Sequence, residues 1–83
     1  MVVLEVIIPI TATYPTADEL SARNRIEDAL TAASVGSFIG AGGGNGEMDI
    51  SFRIDDEKIA RAAIASIMQT HMPGVEYRVR VIN

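Results

Sequence analysis

Glu47-Met48-Asp49-Ile50-Ser51-Phe52-Arg53-Ile54 alternates without a break, with Met48, Ile50, Phe52 and Ile54 apolar and Glu47, Asp49, Ser51 and Arg53 polar. A period of two sends successive side chains to opposite faces of a strand. One face of this strand is therefore core and the other is wet, which is the pattern of an antiparallel sheet covered on one side. Downstream, Asp55 and Asp56 stand where an acidic helix cap belongs. Ile59, Ala63, Ile64, Ile67 and Met68 then form an apolar helical face until Pro73-Gly74 stops it. Val75 to Ile82 alternates again, with Val75, Tyr77, Val79 and Val81 on one side and Glu76, Arg78 and Arg80 on the other. This predicts a second helix and a last strand.

Upstream, six of the seven glycines lie between Gly36 and Gly46, and the stretch closes on Gly-Ala-Gly-Gly-Gly-Asn-Gly. Such a run loses so much conformational entropy on ordering that it predicts a loop. Only Ser34 to Ile39 is left for a short second strand. Thr16-Ala17-Asp18-Glu19 has the form of a capping box with acidic residues at the positive end of the helix dipole. It opens a first helix predicted to run to about Ala33 and to bury Leu20, Ile26, Ala29, Leu30 and Ala33. Val2 to Ile8 is rich in β-branched residues and ends at Pro9, so it reads as a mostly buried first strand. The order β-α-β-β-α-β and its loop lengths give one α+β domain over residues 1–83, a ferredoxin-like βαββαβ sandwich. Its sheet order is 4-1-3-2, and both helices lie on one face.

Composition narrows the function. Hydrophobic residues make up 48 % and charged residues 22 % of the 83, as in a compact globular chain. Seven basic against eleven acidic side chains give a formal charge of −4, which leaves no excess for holding a phosphate backbone, so no nucleic-acid partner is expected. With no cysteine and one histidine, neither a disulfide framework nor a zinc site is expected, and no cofactor is implied. The apolar opening Met1–Ile10 lacks a basic flank and carries Glu5, so it does not read as a signal peptide. No apolar run approaches the roughly 20 residues that span a bilayer. The expected location is cytoplasmic, away from membranes.

The topology brings the first strand-to-helix loop, the hairpin between the second and third strands, and the turn after the second helix to one end of the sheet. Thr13, Tyr14, Gly42, Gly43, Gly44, Asn45, Gly46 and His71 are therefore the candidate ligand-binding residues. Exposed amides and hydroxyls there suit a small anion. Each also has a plainer role. The glycines lack the Gly-Lys-Ser/Thr of a phosphate loop, His71 complements a helix C-terminus, and Thr16 is a cap. No serine elbow and no carboxylate beside His71 assemble a nucleophilic triad, so no catalytic residue is assigned. Asp55, Asp56 and Glu57, with Asp18, Glu19, Glu27 and Asp28, make an acidic helix surface suited to a basic protein partner. On the open sheet face, Val3, Glu5 and Ile7 are in phase with Arg53, Arg78, Arg80 and Ile82, which reads either as a solvated face with cross-strand ion pairs or as self-association into a homo-oligomer, a dimer in the simplest case, and the second is the expectation carried forward. Aromatics for stacking bases are absent there, because Phe52 and Tyr77 are in phase with the core.

Gly40-Ala-Gly-Gly-Gly-Asn-Gly-Glu-Met-Asp-Ile50, followed by Phe52 and Asp55-Asp56, resembles small bacterial ferredoxin-like α+β proteins of unassigned function. These carry a Gly-rich hairpin and then an acidic Asp-Ile strand. The resemblance covers roughly residues 36–60 and implies a bacterial α+β domain, with no catalytic residue to carry over. In architecture alone the chain is also similar to ACT domains, PII-like regulators and acylphosphatases, although the Arg-bearing phosphate loop of the last is absent between Ile10 and Thr16. The leading expectation is a non-enzymatic protein-binding or regulatory module, in the manner of an antitoxin or immunity protein. The alternative is a small-anion sensor of the ACT or PII kind, or a minor enzyme, at the glycine end.

Overall fold

The computed structural model describes residues 2–82. Its elements are β1 (Val2–Pro9), α1 (Ala17–Ala32), β2 (Gly36–Gly44), β3 (Glu47–Ile54), α2 (Glu57–His71) and β4 (Arg78–Ile82). The strands form one antiparallel sheet in the order β2-β3-β1-β4, which is the expected 4-1-3-2 read from the other edge. The result is an α+β fold compatible with a ferredoxin-like sandwich.

Alternation decides the core. Leu4, Val6 and Ile8 of β1 and Met48, Ile50, Phe52 and Ile54 of β3 turn to one side. There they meet Ile26 and Leu30 of α1 and Ala60, Ile64 and Met68 of α2, so both helices lie on that side. Each large aliphatic side chain removed from water contributes about 1.5–3 kcal/mol. The buried residues of α1 are Ala22, Ile26 and Leu30, one i, i+4 row. This corrects the expected stripe: Ala29 is only half-buried, and Ala33 is exposed beyond the last turn.

Two further expectations are corrected. The glycine run is a strand and not a loop. It pairs with β3 from Gly36 opposite Ile54 to Gly44 opposite Glu47, with one bulge between Phe38 and Gly40. Only Asn45 and Gly46 form the turn, at φ of 55° and 80°, the left-handed pair that a two-residue type I′ hairpin requires. Hydrogen bonds along the ladder offset the entropy that the glycines lose.

The last strand begins at Arg78, not at Val75. Continuing the register would set Glu76 opposite Pro9, which has no amide hydrogen to donate, so the ladder stops short. Val75 and Tyr77 still pack against the core.

Candidate functional site

At the end of the sheet where β1 runs into α1, the connecting segment folds down onto the β2–β3 hairpin. Ile10 donates its amide to the Gly46 carbonyl, and Gly46 donates to the Thr13 carbonyl, both at 3.0 Å. Pro15 lies against Gly43 and the Tyr14 ring against Gly44, 3.5 Å from where a Cβ would stand. The structure thus brings Thr13, Tyr14, Gly43, Gly44 and Gly46 together, with Asn45 at the tip of the same hairpin.

That closeness occupies the Ile10 and Gly46 amides. At the N-terminus of α1, the Thr16 hydroxyl accepts from the Glu19 amide at 3.1 Å, and the Glu19 carboxylate accepts from the Thr16 amide at 2.8 Å. The capping box is therefore complete. The Thr16 amide, chief among its neighbours, holds the Glu19 carboxyl below its ordinary range. With Asp18 beside it, this end carries negative charge, and the Thr16 and Glu19 amides are partnered.

His71 closes the last turn of α2, as expected, and is half-buried. Among the described residues no hydrogen bond or ion pair joins it to the hairpin, and no pocket opens beside it. Arg23 is a residue that sequence reasoning missed. From the second turn of α1 its guanidinium donates to the Gly42 carbonyl at 2.8 Å, while its Nε is buried without a partner. No motif announces it, because the contact spans helix and edge strand.

The second assembly is the sheet face that the helices leave bare. Val3, Glu5 and Ile7 of β1, Arg53 of β3, and Arg78 and Arg80 of β4 all lie on it. Glu5 stands opposite Arg80 on one side and Ser51 on the other. Its carboxylate accepts from Arg80 at 2.6 Å. A second ion pair joins Arg78 of β4 to Glu47 of β3, crossing over β1 between Ile7 and Pro9. The apolar Ile7 is thereby closed off to 7 % exposure although no helix covers it. Ile82, at the β4 end, keeps 38 %.

The acidic helix residues divide by position. Asp56 is the N-cap of α2, accepting from the Ile59 amide at 3.0 Å, and Glu57 pairs with Arg61 at 2.7 Å. Asp55 is exposed just before them. α1 and α2 pack antiparallel, so Glu27 and Asp28 belong to the same end of the helical layer. Asp18 and Glu19 are at the other end. Among the described residues no helix is long and apolar enough to cross a membrane.

No protein-family model and no curated protein matches the chain. Among solved structures it is similar to a de novo designed protein, Foldit4. The TM-score is 0.60 at 21% identity, over 99% of this chain and 96% of that one, a likeness that concerns the fold alone.

Proposed function

We propose that the chain is a non-catalytic protein-binding module of ferredoxin-like build that works as a homodimer through its bare sheet face. The helical layer then faces outward, with its acidic end, Glu27, Asp28 and Asp55 to Glu57, toward a basic protein. One observation carries the reading. The face without a covering layer holds three acidic side chains, Glu5, Glu47 and Asp49, and three arginines, Arg53, Arg78 and Arg80, in a mixed array with aliphatic Val3 and Ile82 at its margin. Two copies of such a face meet unlike charge with unlike charge. A small-anion sensor at the hairpin end has weaker support, because the Ile10, Gly46, Thr16 and Glu19 amides already donate within the chain and Asp18 and Glu19 repel an anion.

Light scattering over a concentration series tests the dimer. The wild type should reach the mass of two chains in the micromolar range, and Arg78→Glu with Arg80→Glu should return it to one. A wild type that stays a single chain at high micromolar concentration contradicts the proposal.

A further inference from the structure

The bare face is not uniform from edge to edge. Its rows read Gly42, Asp49, Ile7, Arg78, then Gly40, Ser51, Glu5, Arg80, then Ser37, Arg53, Val3, Ile82. At the β2 edge, Gly40, next to the bulge residue Ile39, presents open backbone, while Gly42 lies beneath the Asp49 carboxylate and Gly44 against the Tyr14 ring. At the β4 edge, Arg78 and Arg80 present two of the longest side chains a protein has, each about two-thirds exposed. The face is therefore lower at Gly40 on the β2 edge and higher at the β4 edge, where Arg78 and Arg80 lean inward to Glu47 and Glu5.

We infer that in the homodimer β4 of each chain lies over β2 of its partner, with Arg78 at the partner's Gly42, beside the carboxylate of the partner's Asp49, and Arg80 on the open backbone of the partner's Gly40. The inference rests on the homodimer reading and adds the orientation. Two such faces fill the space between packed sheets, about 10 Å across, when the higher edge of one covers the lower edge of the other. A two-fold axis parallel to the strands does this. An axis across the strands would instead stack β4 on β4, crowding four arginines at one edge and leaving a gap over Gly40 at the other.

Charge favours the same orientation. The Asp49 carboxylate leans over Gly42, 3.4 Å from where a Cβ would be, and among the described residues it has no ion-pair partner. An arginine arriving over Gly42 would meet it. The area is adequate as well. The two-layer slab measures 33 × 25 × 18 Å, so its broad face bounds about 800 Å², what each partner buries in a standard interface.

Two measurements on the full chain test the orientation. In the first, Gly40→Lys adds bulk and a like charge against the arriving Arg80. A Cβ at Gly40 meets nothing within 4 Å, so the single chain accommodates it. The dimer dissociation constant should rise at least roughly tenfold, with the far-ultraviolet spectrum unchanged.

The second uses the absence of cysteine, which makes a spin label on Ser37→Cys unique. Mixed with isotope-labelled, unmodified chain, it should broaden the amide signals of Arg80 and Ile82 more than those of Phe38 and Gly40. Stronger broadening at Phe38 and Gly40 would overturn the orientation, and so would a dimer indifferent to Gly40→Lys. In either case the wild type remains dimeric and only the orientation fails. A monomeric wild type overturns the homodimer reading itself.

Discussion

The ring of Pro15 lies against the α-carbon of Gly43 so closely that a Cβ on that glycine would stand 2.7 Å from it. This contact seats the β1–α1 connection on the hairpin and gives the glycine run a packing role. Gly43→Ala should therefore destabilise the chain by about 1–3 kcal/mol, the usual cost of overpacking. Gly40→Ala, with open space around it, should be neutral or stabilise by about 0.5–1 kcal/mol. Urea denaturation midpoints of the two variants check the contrast.

The turn makes a separate demand. Gly46 has φ of +80°, a conformation that costs a side chain about 1–3 kcal/mol. Gly46→Ala should lower stability by that amount, while Asn45→Gly, at φ of 55°, should be nearly silent. Thermal melts of both variants read this directly.

How the glycine run could be misread follows from these same residues. Entropy alone argues for a loop from Gly40 to Gly46. Asn45-Gly46, flanked by the alternating strand Glu47–Ile54, is nevertheless the strongest short hairpin signal a sequence offers, and it fixes the register that turns the preceding glycines into a strand. Alternation in β1 and β3 and the capping box at Thr16 were legible, because each is a local period or a local cap. The expected apolar face of α2 was legible only in part: Ile64 and Met68 are buried and Ala63 and Ile67 partly so, but Ile59 is 64% exposed and Ala60 is buried in its place, because the helix turns the row Ala60, Ile64, Met68 to the core. The bare-face residues were legible from the alternation, since a period of two assigns faces. The bond from Arg23 to Gly42 was not, because it depends on how far α1 leans over an edge strand. Nor was the closure of Ile7, which needs Glu47 and Arg78 to meet across an intervening strand.

The Arg80–Glu5 and Arg61–Glu57 pairs should differ in strength. Glu5 keeps only 16% of its side chain exposed beside Arg80, whereas Glu57 and Arg61 are both near half-exposed on α2. Arg80→Ala leaves a largely covered carboxylate without its partner and should cost about 1–2 kcal/mol. Arg61→Ala should cost about 0.5 kcal/mol or less. Chemical denaturation at low protein concentration, where single chains dominate, separates the two.

Acid should weaken the start of α1. Because Glu19 has its folded-state acidity raised, so that its carboxyl titrates below the ordinary 4.5, its contribution is present above that value and lost as pH falls through the lower folded one. Glu19→Gln should remove this component. The difference in melting temperature between wild type and variant should shrink from about pH 5 downward. A difference that is constant from pH 6 to pH 3 would show that the capping carboxylate is not titrating.

The central claim is that the bare sheet face, and not the helical layer, joins two copies of the chain. Isotope-filtered nuclear Overhauser spectroscopy on an equimolar mixture of labelled and unlabelled chains tests it most directly, because only contacts between chains give a signal. Methyl groups of Val3 and Ile82 lie on the sheet face, and Ile59, 64% exposed, marks the helical layer. The account predicts inter-chain signals from Val3 and Ile82 and none from Ile59. Signals from Ile59 with silence at Val3 and Ile82 would contradict it.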